Sequence, residues 1–267
     1  MTASGNARPA AASGDPATVM AAGILAATAA AICHESIGHG VGCLAGGGRI
    51  ALLTSIWFQC SVGLSLADAG GPLVSLCAGA AALAALHRSM PPVARLVLLL
   101  FASFSLFWFA AQLIDHALLD RDDWAFIARR SGWPRAWRPV AVVIGIVVYA
   151  ASFRAIVRFL RTAMAPTGHA VSLGYAAAVA SAVVAGLAWP SAPLRGALEA
   201  ALTLGGAPLG LLVAAWRAGT RTASAPPIPR SWGWIAASIL VFGLFVAVQG
   251  RGLGPDAGAP LPSLVPQ

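Results

Sequence analysis

The stretch Cys33-His34-Glu35-Ser36-Ile37-Gly38-His39-Gly40 closes an apolar run that begins near Ala17. Ionisable side chains are costly in hydrocarbon, so two imidazoles and a carboxylate in a segment long enough to cross a bilayer mark a metal, proton or substrate site. On a regular α-helix, turning about 100° per residue, Glu35 and His39 lie about 40° apart on one face. His34 and His39 stand about 140° apart on such a helix and could not hold one ion. The zinc pattern H-E-x-x-H spaces its histidines by four residues, with the glutamate as general base. Here one further residue separates them.

Two local structures reconcile this spacing with a shared ion. A π-turn absorbs one residue and brings positions i and i+5 onto one face, and such turns cluster at functional sites. Gly38 would loosen the helix at that point. Alternatively the helix stays regular, Glu35 and His39 are the ligands, and His34 supports them from the outer shell. The π-turn is the preferred reading because it leaves Glu35 free to act on water. Helix packing would account for a lone histidine, but three ionisable groups within six residues are dense for that role.

The 267-residue chain is 58% hydrophobic and only 10% charged, with a mean hydropathy of +0.79. A soluble domain carries about a quarter charged residues. The composition is that of a polytopic membrane protein. Its formal charge of +8 arises from seventeen arginines scattered through the connecting segments. That distribution suits anchoring at the membrane surface and excludes a massed nucleic-acid-binding patch. Residues 1–16 show no cleavable signal pattern, so the first span is expected to be retained. Cys33, Cys43, Cys60 and Cys77 lie in apolar segments without a C-x-x-C pair and are expected to act as small hydrophobes. Cys43, four residues beyond His39, is a minor alternative ligand.

The expected fold is an all-α polytopic membrane protein with about seven transmembrane helices, six at the fewest. Residues 1–16 read as a tail and residues 17–250 as one helical domain, its metal-site half 17–125 and its accessory helices 139–250. Residues 251–267 read as a second tail. Gly38 and Gly42 form a small-xxx-small pair that admits a close neighbouring helix. After Gly46-Gly47-Gly48-Arg49, the apolar segment from Ile50 to Leu66 suits a short strand or hairpin buried against protein, with a short helical span as the competing reading. Thr54, Ser55 and Gln59 could line a polar cavity there. Span two follows Asp68-Ala69-Gly70-Gly71-Pro72, and span three runs from about Val93 to Leu119. Four more follow at 140–159, 170–189, 194–215 and 232–248, each near the roughly 20 residues needed to cross. Glu199 in the sixth is expected to pair with Arg195, four residues back, or to approach the site, the first being preferred. The arginines divide evenly between the two sides and do not set the orientation.

A catalytic zinc has three protein ligands and a water, so a third ligand must come from elsewhere in the chain. Gln112, Asp115 and His116, then Asp120 to Asp123, are the richest supply. Asp115 lies deepest in the apolar run and is the first choice, with Asp123 second.

His34-Glu35 with Gly38-His39, followed by Gly46-Gly47-Gly48-Arg49-Ile50, resembles the first-helix pattern of the site-two protease family of intramembrane zinc metalloproteases, particularly its small bacterial relatives. Gly71-Pro72-Leu73-Val74-Ser75-Leu76 is similar to the small-residue segment of that family's next helix. The resemblance covers about the first half of the chain. It implies a bacterial cytoplasmic-membrane protein with Zn2+ held by His34, His39 and a later aspartate. Glu35 would activate water to cut a transmembrane-helix substrate. The other reading is a non-catalytic metal-binding or ion-carrying membrane protein. Both have the lipid bilayer as partner and neither engages nucleic acid.

Overall fold

The computed structural model describes residues 14–162, 165–218 and 227–258. Seven helices are long and apolar enough to cross a membrane: α1 (Pro16–Ala45), α2 (Ser65–Ala85), α3 (Pro92–Leu119), α5 (Trp137–Leu160), α6 (Gly168–Leu187), α7 (Pro193–Ala218) and α8 (Trp232–Gly250). A short helix α4 (Asp122–Arg130) joins α3 to α5. The architecture is all-α and polytopic, with one two-stranded sheet, β1 (Ile50–Leu53) and β2 (Phe58–Cys60).

α1 starts where the sequence supplies a cap: Asp15 Oδ1 accepts from the Thr18 amide at 2.9 Å, and Pro16 occupies the first turn, where its missing N–H costs nothing. Its first half packs against α3, α6 and α8. Gly23 meets the Gly174 backbone of α6 so closely that a Cβ would collide with the Gly174 carbonyl. The second half of α1 leans on α2. A Cβ on Gly38 would lie 2.5 Å from Gly71 Cα, and one on Gly42 would lie 2.5 Å from the Leu66 carbonyl oxygen. The Gly38/Gly42 pair is therefore the contact the sequence suggested, and it fixes how near α2 comes to the histidines. A buried core of large side chains, with Phe104 and Phe107 of α3 at its centre, fills the space between the helices. Burying each such side chain stabilises by about 1.5–3 kcal/mol where water is the reference, and in lipid the same packing acts through close contact.

The segment after α1 is a hairpin. β1 pairs with β2 antiparallel, and the Thr54 amide donates to the Trp57 carbonyl across the turn at 2.8 Å. The other edge of β1 is closed by Leu253, which exchanges backbone hydrogen bonds of 2.9 and 2.8 Å with Leu53. Gln249 at the end of α8 donates to the Thr54 carbonyl and accepts from Ser36 Oγ, both at 2.9 Å. Backbone at membrane depth must find its partners inside the protein, and this segment does.

Several expectations are corrected. Cys43 and Cys60 do not act as isolated hydrophobes: they form a disulfide joining α1 to β2, which also removes Cys43 as a ligand, while Cys33 and Cys77 are free. Span two begins at Ser65, so Asp68 stands in its first turn and Pro72 inside it. Residues 251–258 fold back onto β1 in place of a tail, and residues 1–13 and 259–267 of the expected tails lie outside the described residues. Arg195 lies over the Trp57 ring, 4.6 Å from its centroid, and Glu199 faces a cavity.

Candidate metal centre

Residues Ile32–Gly40 of α1 form a π-helix. The extra residue between His34 and His39 is absorbed there, and the two Nε2 atoms come to 3.2 Å from each other. Both imidazoles are buried and held from behind. His39 Nδ1 lies 2.7 Å from the Ala67 carbonyl oxygen of α2. A carbonyl only accepts, so Nδ1 carries the proton and Nε2 presents a lone pair. His34 Nδ1 lies 2.9 Å from Ser75 Oγ, also on α2. Their rings are stacked as well, His34 on Trp108 of α3 at 4.0 Å and His39 on Phe58 of β2 at 5.3 Å between centroids. Orientation from behind is what ligating histidines need.

The third group is Asp123. Its Oδ2 is 3.7 Å from His39 Nε2, and one ligand atom from each of His34, His39 and Asp123 lies within 4.8 Å of the others. Tetrahedral zinc with bonds of about 2.0–2.1 Å separates its ligand atoms by about 3.3 Å. The three groups fit that geometry after small movements. The two Nε2 atoms at 3.2 Å, beside a carboxylate, form a compact donor set that a cation could occupy. Burial, with the neighbouring Asp122, Glu35 and Asp68 charges, pushes the Asp123 carboxyl well above the usual carboxylate range. A positive ion in the group would reverse that.

Asp115, the first choice for the third ligand, is not in the group. It lines the adjoining cavity and pairs with Arg121 at 3.0 Å, both side chains two-fifths exposed or more. The reason lies in the turn after α3. Asp120 and Asp122 adopt left-handed backbone angles, φ +53° and +67°, and reverse the chain so that α4 returns Asp123 under α1. Arg130 at the far end of α4 bonds Asp68 of α2 at 2.5 Å and holds the returned helix there.

Gln112, named in the polar cluster at the end of span three, and Gly71, which was not singled out, also bear on the site. Gln112 of α3 is buried, with Nε2 3.3 Å from both His34 Nε2 and Asp123 Oδ2, and its Oε1 has no partner. Its position three residues before Asp115 in an apolar run was the available signal. Gly71 leaves the space that His39 fills: a Cβ there would collide with the Nε2 atom and lie 2.6 Å from Cδ2 and Cε1. Nothing in Gly70-Gly71-Pro72 read as sequence points to that contact.

A cavity of about 570 Å³ adjoins the cluster, and Glu35, Gln112, Asp122 and Glu199 are among its walls. Of the polar hairpin residues, Gln59 lines it, whereas Thr54 and Ser55 are buried in the hairpin turn. Val62, Gly63, Phe126 and Leu202 are exposed residues of its lining. Glu35 is buried and opens onto this space. The arrangement therefore combines three candidate metal ligands, a carboxylate off the ligand set and room for water.

Comparison with protein-family models, with curated proteins and with solved structures gives no match to this chain.

Proposed function

We propose that this chain is a zinc-dependent intramembrane metallopeptidase of the bacterial cytoplasmic membrane, acting on a membrane-embedded polypeptide segment. The observation that carries the reading is the π-helix. It brings His34 and His39 onto one face with Asp123 opposite and keeps Glu35 out of the ligand set. A purely structural zinc site is closed by four protein ligands, whereas a catalytic one keeps three and an open position.

His34, His39 and Asp123 would hold the ion. Zinc there supplies Lewis acidity and lowers the pKa of a coordinated water to about 7. Glu35 accepts the proton of the attacking water on a carboxylate oxygen and returns it to the leaving amine. Gln112 donates through Nε2 to the Asp123 carboxylate and orients it. Trp108 and Phe58 stack on the imidazoles and hold their ring planes.

The second reading, a non-catalytic metal-binding or ion-carrying protein, draws on the acid-rich cavity, where Glu35, Asp68, Asp122, Asp123 and Glu199 all stand. One experiment separates the two. Zinc content of the detergent-purified protein is measured by plasma mass spectrometry for wild type, His34→Ala/His39→Ala and Glu35→Gln. Hydrolysis of a quenched-fluorescent library of single-span peptides is followed in the same micelles. Near-stoichiometric zinc that is lost in the double variant, with Glu35→Gln keeping zinc and losing cleavage, supports the peptidase. Zinc without cleavage by wild type favours the second reading, and no zinc in any form overturns the peptidase.

A further inference from the structure

Seven successive crossings leave α1 ending, α2 starting, α3 and α4 turning back into α5, α6 turning into α7, and α8 ending at one face of the bundle. The cavity is lined by the hairpin and by α4 at that end, where the Cys43–Cys60 disulfide also lies. The chain is shaped around this bond. Gly48 packs on it so closely that a Cβ would collide with Cys60 Sγ and lie 2.8 Å from Cys43 Sγ. The free cysteines, Cys33 and Cys77, lie inside α1 and α2. Disulfides persist on the oxidising side of a membrane and are rare in the reducing cytosol.

We infer that the segment before α1 lies in the cytoplasm and that the metal cavity opens to the oxidising, extracytoplasmic side, with the Cys43–Cys60 bond latching the hairpin over it. Resting on the peptidase reading, this also names the substrate class. It is a membrane-anchored polypeptide whose scissile stretch lies toward the outer leaflet and enters from that side.

The test uses the full chain with Cys33→Ala and Cys77→Ala, carrying either Ser131→Cys, exposed at the cavity end, or Ser89→Cys, exposed at the other. Spheroplasts are treated with a membrane-impermeant maleimide. Labelling of Ser131→Cys in intact spheroplasts, with Ser89→Cys labelled only after lysis, is the expected result, and the reverse pattern overturns the inference. In acid-quenched cells without an added cysteine, a two-thiol mass shift with polyethylene glycol maleimide should appear only after reduction. Two free thiols before reduction would also overturn it. Neither arm reads metal or cleavage, so failure of the peptidase reading leaves both outcomes interpretable.

Discussion

His34 and His39, five residues apart in the sequence, bring their Nε2 atoms to 3.2 Å because the helix between them runs as a π-helix. Removing one residue from this stretch would convert the spacing to four, which a regular helix satisfies. Deleting Ser36 therefore tests whether spacing or the π-helix itself is required. Such a variant keeps zinc at near-wild-type content but loses the Ser36 bond to Gln249, measured as metal content alongside thermal stability.

Gly71→Ala places a methyl group in the space of the His39 ring. The expected result is loss of zinc by at least tenfold in occupancy at equal protein, read by plasma mass spectrometry. Gly206→Ala is the control, because a Cβ at Gly206 meets nothing within 4 Å.

Asp123→Asn and Asp115→Asn should part company. The first removes a candidate ligand and is expected to weaken zinc binding by a hundredfold or more in competition with a chelator. The second breaks only an exposed pair with Arg121, worth under about 1 kcal/mol, and leaves affinity within about twofold.

Ser75→Ala removes the partner of His34 Nδ1 without touching the ligand atoms. Outer-shell losses of this kind cost about 10–100-fold in metal affinity. The same chelator competition measures it, and Ser75→Thr, which keeps the hydroxyl, is expected to recover most of the loss.

Replacing Cys43 and Cys60 by serine opens a loop with a sequence separation of 17 residues. Closing a loop of that size contributes about 3 kcal/mol on the chain-entropy account. The midpoint of unfolding in a mixed-micelle titration should fall accordingly, and reductant should shift the wild type but not the variant.

Much of the fold is legible in the sequence because length and apolarity alone mark the seven crossings, and Gly38 with Gly42 marks the face that α2 approaches. The π-helix is legible for a related reason: five-residue spacing and a shared ion are incompatible with 3.6 residues per turn. The choice between Asp115 and Asp123 is not. It depends on a reversal built from Asp120 and Asp122, two non-glycine residues with left-handed angles that no local pattern announces. The disulfide is hidden for a similar cause, since Cys43 and Cys60 become neighbours only once the hairpin folds back along α1.

The candidate ligands are also far apart along the chain. Both histidines lie in the first apolar helix, whereas Asp123 lies on the short helix that follows the third. On the metal reading the site is complete only with α4 docked, as it is where Arg130 of α4 meets Asp68 of α2. Metal loading would then certify that the first half of the bundle is assembled, and nascent chains caught before α4 docks should be inert toward their neighbours in the membrane.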